Sequence, residues 1–381
     1  MEPLRALGQR ITKLALQLQS ALHPTTATTL AQLLREMNSY YSNKIEGHST
    51  HPLNIARSLQ QDFSHNPNIA RLQRLALAHI ETEIEIETWI KQDDGFSPFS
   101  ALGIQRIHEA LYSKLPDEDR TVEEKLIVEP GALRNLDVQV GHHIPPQHDN
   151  LLAFLHRYET YYSTHTSWDI QLVKIASAHH RLVWIHPFLD GNGRVARLAT
   201  HAALYRPFTS GLWSICRGLA RTQPRYYAML ATADQPRRGD LDGRGNLTNA
   251  GLGEFCRYFL EICLDQVQLM HQLLNLDNMR NRIRALLHFR NSQDKRIRLE
   301  AELPLHYLFT SGPLTRSEFK QMTGLTDKVA QMLLSHLQKA KLLVSDTPLG
   351  PVRFGLPLDA LQFYFPDLYP EASTTLNDAE Q

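Results

Sequence analysis

Apolar residues recur at helical intervals along most of the chain. One face of a helix predicted over residues 28–47 carries Leu30, Leu33, Leu34 and Met37. A similar series predicts a helix over residues 68–92, although residues 81–87 alternate Glu with Thr and Ile as a strand would. We predict helix there because the apolar series continues unbroken and Glu favours helices. Further helices are predicted over residues 101–115, 151–162, 170–185, 195–204 and 253–274.

The pattern changes in the last third of the chain. Three helices and two short apolar stretches are predicted, over residues 299–310, 315–323, 326–340, 342–344 and 352–354. Three helices followed by a hairpin resemble a winged helix. Residues 280–366 hold 13 Lys and Arg against 7 Asp and Glu, a net charge of +6, whereas the whole chain is neutral. This asymmetry indicates a separate C-terminal domain.

Residues 186–197 separate two of the predicted helices and read His-Pro-Phe-Leu-Asp-Gly-Asn-Gly-Arg-Val-Ala-Arg. Gly191 and Gly193 stand where the chain must turn tightly and bring its backbone close to a ligand. A glycine-bearing loop that opens a helix directs unpaired N–H groups and the positive end of the helix dipole at one spot. The stretch therefore predicts an anion site.

The polar side chains of this loop suit a phosphate ester. Asp190 is a hard oxygen ligand of the kind that binds Mg²⁺ together with substrate phosphates. The amide of Asn192 can donate to a phosphate oxygen, and Arg194 and Arg197 share a helix face and offer forked donors. His186 can take a proton from an attacking hydroxyl. Together these residue types indicate nucleoside triphosphate chemistry.

The loop also resembles, at every fixed position, the signature of the Fic family, His-Pro-Phe-x-Asp-Gly-Asn-Gly-Arg-x-x-Arg. Fic proteins are largely helical and mostly transfer the AMP part of ATP to a protein hydroxyl. The resemblance implies an all-α fold and Mg²⁺-dependent transfer of AMP to a Ser, Thr or Tyr of a target protein or of this chain itself. It makes His186 the base and Asp190 the metal ligand. It assigns phosphate binding to Gly191, Asn192, Gly193, Arg194 and Arg197, and contacts with the adenine to Tyr226 or Tyr227.

A second motif lies where the helix predicted over residues 28–47 ends. Gly47 is a natural helix stop, and Glu46 stands near the negative end of the helix dipole, which indicates a partner elsewhere. The pattern Ser-x-x-x-Glu-Gly, made here by Ser42, Glu46 and Gly47, resembles the inhibitory motif of Fic proteins. The resemblance implies that Glu46 pairs with Arg197 and keeps the γ-phosphate out of its productive place. The alternative is a solvated carboxylate at a helix end.

A short β-hairpin is predicted within residues 130–146. The run Leu136-Asp137-Val138-Gln139-Val140 alternates apolar and polar residues, and Gly141 can turn the chain. By position the hairpin resembles the Fic flap, which aligns the target segment over the active site. An exposed strand edge can bind an extended peptide through backbone hydrogen bonds. The alternative is an ordinary surface hairpin.

The composition bears on the cellular compartment of the protein and on metal binding. Three cysteines, Cys216, Cys256 and Cys263, lack metal or disulfide spacing and suit a reducing compartment. No apolar run approaches about 18 residues, so we expect no membrane span and a cytoplasmic location. The histidine doublets at 142–143 and 179–180 lack Cys or carboxylates at ligand spacing, which disfavours zinc there.

The predicted organisation has four parts. They are an N-terminal helical region with the inhibitory motif, a Fic-like catalytic domain, a winged-helix-like domain and a disordered tail, over residues 1–96, 97–278, 280–366 and 367–381.

Two other functions stay open at this level. Lys328, His336 and Lys339 could lie along a DNA groove, so a nucleotide-sensing, DNA-binding transcription regulator is one alternative. Winged helices also form homodimers or dock other proteins, and this one lacks a dense cluster of Lys and Arg. The second alternative is a Fic-like enzyme that removes AMP or uses another nucleotide donor.

Overall fold

The computed structural model describes residues 2–20, 22–122, 126–164 and 166–373. Within these ranges, no helix is long and apolar enough to cross a membrane. The helices and strands in chain order are α1 (Glu2–Gln19), α2 (Pro24–Ile45), α3 (Pro52–Ser58), α4 (Pro67–Gln92), α5 (Ala101–Tyr112), α6 (Asp117–Arg120), α7 (Leu151–Tyr162), α8 (Trp168–Ile185), α9 (Asn192–Leu204), α10 (Cys216–Arg221), α11 (Gln223–Ala233), α12 (Asn249–Leu273), α13 (Leu276–Gln293), α14 (Glu302–Ser311), α15 (Arg316–Met322), α16 (Asp327–Lys339), β1 (Leu343–Val344), β2 (Arg353–Phe354) and α17 (Leu361–Tyr364).

The described residues divide into two compact units. The first comprises residues within 1–16, 38–50 and 54–267, and the second comprises the remainder. The predicted boundaries after residues 96 and 278 do not follow this division. Helix α4, placed in the N-terminal region by prediction, contributes Leu75, Ala78 and Ile86 to the same core as α5 and α9.

Helix α4 confirms the helical interpretation of the alternating stretch at residues 81–87. Asn66 caps its first turn by accepting the N–H of Asn68 at 3.0 Å, and Pro67 fixes the first helical residue. Ile80 and Ile86 are buried, whereas Ile84 is 43% exposed. The isoleucines of the alternating stretch thus do not share one buried face, as those of a half-buried strand would.

The core of the first unit positions the loop at residues 186–191. Helices α4, α5, α7, α8 and α9 pack around fully buried side chains such as Ile104, Leu155, Ile185 and Val195. Phe188, in the loop itself, belongs to this core and is 0% exposed. Burial of one such aromatic side chain contributes about 2 kcal/mol, so the loop is anchored at its centre.

The second unit contains the predicted three helices and hairpin as α14, α15, α16, β1 and β2. The two strands are antiparallel, with Leu343 opposite Phe354 and Val344 opposite Arg353. Helix α15 begins with a capping box in which Thr315 and Glu318 satisfy each other's backbone N–H groups. Helix α13 precedes these elements and was not predicted. The comparison with a winged helix stays a prediction.

The first part of the predicted disordered tail, residues 367–373, is ordered. Leu368 and Tyr369 are buried, and Pro370–Ser373 forms a 3₁₀ helix. Buried aromatic and aliphatic side chains hold this stretch in place. The rest of the predicted tail, residues 374–381, lies outside the described residues.

The predicted flap hairpin is reduced to a single β-bridge. Val140 and His143 exchange backbone hydrogen bonds of 2.9 and 3.0 Å around Gly141, which has a φ of +59°. Within the part of the chain described, residues 136–139 are not in a strand. A longer ladder is blocked on the return side because Pro145 and Pro146 have no N–H to donate.

Candidate active site

The loop between α8 and α9 is shaped by two residues in the left-handed conformation. His186 ends α8 with φ 51° and ψ 60°, and Gly191 precedes α9 with φ 79°. Left-handed backbone is uncommon outside glycine, and histidine is among the side chains that tolerate it. A Cβ at Gly191 would lie 2.6 Å from the Tyr112 ring, so only glycine fits there.

Asn192 braces the loop from within. Its Oδ1 accepts the N–H of Phe188 at 2.9 Å, and its Nδ2 donates to the carbonyl of Phe188 at 2.8 Å. The side chain is only 3% exposed. The amide thus satisfies backbone groups that the turn leaves without partners, and the contact between Asn192 and a phosphate stays a prediction.

A stack of three rings supports the loop from the side of α5. The imidazole of His108 lies between Phe188, with ring centroids 3.9 Å apart, and Tyr112, at 4.4 Å. The N–H of Gly131 donates to His108 Nδ1 at 2.9 Å, so Nε2 carries the hydrogen and donates to the Asp190 carbonyl at 3.3 Å. Burial lowers the pKa of His108 to about 3, which keeps this ring neutral.

Asp190 is held as an ionised carboxylate. Its Oδ2 accepts from the Tyr112 hydroxyl at 2.7 Å and from Arg194 Nη2 at 3.0 Å. Burial alone would raise the pKa of Asp190, but Arg194, the Tyr112 hydroxyl and the Gly191 N–H together lower it. The side chain is still 43% exposed. Asp190 is thus oriented and charged, yet reachable from solvent.

Arg194 has N–H groups that make no hydrogen bond to the described residues. Its Nη2 donates to Asp190 and to the Tyr112 hydroxyl, whereas Nε and Nη1 are buried without a hydrogen-bond partner among the described residues. Buried guanidinium donors are normally satisfied, because each unsatisfied group costs about 1–3 kcal/mol or more. The predicted role of Arg194 in anion binding agrees with these two unused N–H groups.

His186 is placed by its backbone and kept neutral by its surroundings. Arg134 Nε donates to the His186 carbonyl at 2.9 Å, and the Arg134 N–H donates to the carbonyl of Pro187. Burial, His143 and Arg134 lower the pKa of His186 to about 4. One nitrogen of a neutral imidazole carries a lone pair that can take a proton.

Glu46 and Arg197 form the ion pair that the sequence predicted. Arg197 Nη2 donates to Glu46 Oε1 at 2.6 Å, and Arg197 also donates to the hydroxyl and the carbonyl of Ser42, at 2.9 and 3.0 Å. Burial would raise the pKa of Glu46, but Arg197 and Arg194 lower it, so the pair is charged. Arg197 is 1% exposed. Gly47, with φ 78°, ends this helical segment as predicted.

The carboxylate of Glu46 lies directly on the backbone that was predicted to bind phosphate. A Cβ built on Gly193 would lie 2.2 Å from Glu46 Oε1. The absence of a side chain at Gly193 thus leaves a cradle at the first turn of α9 that an anionic group can enter. In this structure the anionic group is a carboxylate of the chain itself.

The two tyrosines on α11 have different positions. Tyr226 is 2% exposed, and its hydroxyl bonds His179 Nε2 at 2.7 Å, so its predicted contact with adenine is corrected to a role in the core. Tyr227 is 47% exposed and donates to the carbonyl of Ile45 at 2.8 Å. Gln223 donates to the same carbonyl at 2.7 Å. Both side chains therefore hold the end of α2 in place.

Arg134 joins this loop to the predicted flap. Its Nη1 donates to the Leu136 carbonyl at 2.8 Å, and its Nη2 donates to the carbonyl of Pro146. The exposed carboxylate of Asp137 accepts from the backbone and the ring of His148. Docking of a target by residues 136–140 stays a prediction.

The sequence interpretation missed Tyr112, His108, Arg134 and Gln223. The first three act on the loop and Gln223 acts on the end of α2, in each case from a distant part of the chain, and none stands in a local pattern. The role of Asn192 in bracing the loop could have been predicted, because a loop that turns twice within six residues needs side-chain partners for its backbone groups.

A magnesium ion is implied by the resemblance, and the residues fit it. Mg²⁺ usually binds one or two carboxylates together with substrate phosphates. Asp190 supplies an ionised, partly exposed carboxylate beside the unused donors of Arg194. The arrangement therefore suits a metal that arrives with a polyphosphate.

The fold and the site define a helical domain with an anion cradle at the start of a buried helix and a neutral histidine beside it. Residues 98–204 match the family model described as Fic/DOC family. The chain therefore contains a Fic domain.

Relatives and solved structures agree with this assignment. Over 80 residues the chain is 40% identical to the protein adenylyltransferase Fic of Drosophila grimshawi, covering 21% of this chain and 17% of that protein. Over 104 residues it is 36% identical to the Drosophila mojavensis protein of the same name, covering 27% and 21%. The chain thus spans about a fifth of the length of these relatives.

Two solved structures share the fold at low identity. A Fic family protein from Desulfovibrio desulfuricans G20 superposes with a TM-score of 0.53 and 17% identity, over 94% of this chain and 97% of that one. Fic-1 from C. elegans gives a TM-score of 0.55 and 18% identity, over 72% of each chain. At this identity, the likeness shows the fold alone.

Proposed function

We propose that this protein transfers AMP from ATP to a hydroxyl group of a protein, and that Glu46 inhibits the transfer. The observation that carries the proposal is the conjunction of a neutral His186 with an anion cradle at the start of α9. Two relatives with the same domain are named protein adenylyltransferase Fic, which supports this chemistry.

In this proposal His186 removes the proton from the attacking hydroxyl. The hydroxyl oxygen then bonds to the α-phosphorus of ATP, the bond from that phosphorus to the bridging oxygen breaks, and pyrophosphate leaves. The lone pair on the His186 ring nitrogen takes the proton, and its low pKa ensures that the base is free at neutral pH. Bound Mg²⁺, held by Asp190, would offset the negative charge of the phosphates.

The phosphate chain would be held by the start of α9. The Gly193 backbone, the unused donors of Arg194 and a released Arg197 would stabilise the charge that develops on pyrophosphate. Donors fixed in a buried site act strongly because they need no reorganisation during the reaction. Tyr227 is the remaining candidate for the adenine, since Tyr226 lies in the core.

Glu46 would inhibit by occupying the cradle and holding Arg197. With Glu46 Oε1 at 2.6 Å from Arg197 and against Gly193, a γ-phosphate and this carboxylate cannot share the same place. ATP would then bind with its α-phosphorus out of line for attack, and poor alignment lowers the rate far more than it lowers affinity.

Residues 136–140 would guide the target segment in this proposal. They lie next to the loop through Arg134, and the backbone of residues 136–139 is not engaged in a strand. An extended target segment could supply the missing partner.

Removal of AMP from a modified protein is a second candidate activity. The same Glu46 carboxylate that excludes the γ-phosphate could instead position a water molecule for hydrolysis. The observation that favours it is that Glu46 is ionised and part-exposed at the mouth of the cradle.

The test is to incubate the full chain with Mg²⁺ and ATP labelled in turn at the α- and γ-phosphate, and to measure the intact mass of the protein. Transfer of AMP predicts a mass gain that carries only the α-label. A gain that carries the γ-label would show phosphoryl transfer instead. If neither the wild type nor Glu46→Gly gains mass and neither removes AMP from a modified protein, a nucleotide-sensing role becomes the better account.

A further inference from the structure

A cavity of about 520 Å³ lies in the first unit, beside α8 and outside the loop at residues 186–191. Its walls come from α7, the last turns of α8, residues 244–247 and the start of α12. Among the described residues that line it, none belongs to the anion cradle, and Tyr227 lies outside it. Small-molecule sites commonly measure about 300–1,000 Å³, so the volume suits one ligand of nucleotide size.

Three arginines give this cavity a positive charge. Arg157, Arg181 and Arg244 line it, and the described lining residues include no Asp or Glu. Burial and the charge of Arg181 lower the pKa of Arg244 to about 10, and burial and Arg157 lower that of Arg181. A neighbouring cation lowers an arginine pKa because like charges repel. A cleft lined by one sign of charge concentrates counter-ions, so the cavity favours an anionic ligand.

Two of the arginines lie over aromatic rings. The guanidinium carbon of Arg181 is 4.8 Å from the centroid of the Trp184 ring, and that of Arg157 is 5.5 Å from the centroid of Tyr161. The N–H groups of a guanidinium lie in its own plane, so contact through its face leaves the edge for other partners. Phosphate oxygens bind such an edge in pairs.

The third arginine, Arg244, is fixed by the backbone. It donates to two carbonyls, from Nε at 3.2 Å and from Nη2 at 2.8 Å. The Asp234 carboxylate also acts on Arg244 and Arg181, but it pairs with His180 Nε2 at 2.9 Å. One carboxylate that is already engaged does not balance three cations. A phosphate group, with a charge of about −2, therefore suits the cavity.

Rings and amides complete the lining. The rings of Phe154 and Trp184 have centroids 5.5 Å apart, and Asn246 and Asn249 present amide side chains. A nucleobase stacks on aromatic side chains, and an asparagine amide can exchange two hydrogen bonds with the edge of a purine. The lining thus matches both parts of a nucleotide, the base and the phosphate.

We propose that this cavity binds a purine nucleotide, with its phosphate on Arg157, Arg181 and Arg244 and its base against Trp184. The site is separate from the cradle at the start of α9 and does not rest on the proposed function. The Trp184 carbonyl accepts from His143 Nε2 at 2.8 Å. Since Trp184 also stands two residues before His186, a nucleotide in the cavity restrains the end of α8 and the segment that contains His143.

The test is a calorimetric titration of the full chain with AMP and with GMP in the absence of Mg²⁺, so that no turnover is needed. Arg157→Gln and Arg181→Gln each remove one charge from the cavity. The control Arg238→Gln removes an exposed arginine that pairs with Glu254 near the same loop but does not line the cavity. The matching nucleoside and inorganic phosphate, titrated separately, report on the two halves of the ligand.

The proposal predicts saturable binding of at least one of the two nucleotides by the wild type and by Arg238→Gln. Affinity should fall about tenfold or more in Arg157→Gln and Arg181→Gln, because each loses a charged hydrogen bond to phosphate. The nucleoside and phosphate should each bind at least tenfold more weakly than the nucleotide.

Tryptophan fluorescence gives a second measurement that does not depend on the arginine variants. Bound nucleotide should quench the emission of the wild type, and Trp184→Phe should lose most of this change. Failure of both nucleotides to bind the wild type would overturn the proposal. So would an affinity that both arginine changes leave intact, a nucleoside that binds as tightly as its nucleotide, or quenching that persists in Trp184→Phe.

Discussion

The loop at residues 186–191 and the segment at residues 136–143 are joined by Arg134 but are built in opposite ways. In the loop, Asn192, His108 and Arg134 satisfy backbone groups, and Tyr112 fixes the Asp190 carboxylate. In the segment, Val140 and His143 form a single β-bridge. It is the one backbone pairing of this kind among the described residues of the segment. The contrast teaches that contacts within the chain already fix the reacting groups, whereas the segment has little backbone pairing of its own.

The largest expected effect in the loop comes from His186→Ala. Loss of a general base typically lowers the rate by about 10²- to 10⁴-fold, while nucleotide binding through α9 should persist. Label incorporation and nucleotide affinity should be measured in the Glu46→Gly background, with the exposed His142→Ala as control. Undiminished transfer by the His186 variant would remove His186 from the mechanism.

Asn192→Ala tests whether the loop is rigid because of its own contacts. The substitution leaves the N–H and carbonyl of Phe188 without partners in a buried place, so we expect a loss of roughly 2 kcal/mol in the free energy of unfolding. Denaturant unfolding of the wild type and of Asn192→Ala measures this, with the exposed Asn68→Ala as control. Equal stability of all three proteins would show that the hydrogen bonds of the Asn192 side chain do not stabilise the loop.

The pH dependence tests the environment of His186 more finely. With its pKa at about 4 rather than 6.5, the imidazole stays deprotonated as the pH falls to 6 and is lost as a base only as the pH approaches 4. A histidine with an ordinary pKa would be only about one quarter deprotonated at pH 6. A base with an ordinary pKa would thus lower kcat/KM about fourfold between pH 8 and pH 6. The kcat/KM of the Glu46→Gly protein should instead stay nearly constant over this range. A midpoint near 6.5 in the acid limb would contradict the assignment.

The smallest effect is expected from a substitution in the segment at residues 136–143. Val140 is 44% exposed, so Val140→Ala should change the free energy of unfolding by no more than about 0.5 kcal/mol. Nucleotide affinity should stay the same, and any loss should fall on modification of a separate target protein. A drop in nucleotide affinity would mean that the segment belongs to the nucleotide site instead.

Much of this arrangement could be predicted from the sequence. Helix periodicity predicted α4 and α8, and the spacing of residues 42–47 together with the resemblance predicted that Glu46 meets Arg197. These features are local, or follow from a pattern of fixed residues, and the geometry agrees with both.

The remainder depends on contacts between distant segments. Nothing near Tyr112 or Arg134 in the sequence indicates that these side chains fix Asp190 and His186. Tyr226 and Tyr227 are adjacent, and neighbouring residues point about 100° apart on a helix, so only one could face the cleft. The sequence does not tell which one, because that depends on how α11 packs against His179.

Activation by Glu46→Gly is the most direct test of the central claim, that the anion cradle is present but occupied by Glu46. Label incorporation from α-labelled ATP is compared in the wild type, Glu46→Gly, Glu46→Gly with Arg197→Ala, and the control Lys44→Gly at the same helix end. Freeing the cradle and Arg197 should raise incorporation by on the order of 10- to 100-fold, and the double variant and the control should stay near the wild type. If Glu46→Gly is no more active than the wild type at several ATP concentrations, the pairing of Glu46 with Arg197 does not inhibit this protein.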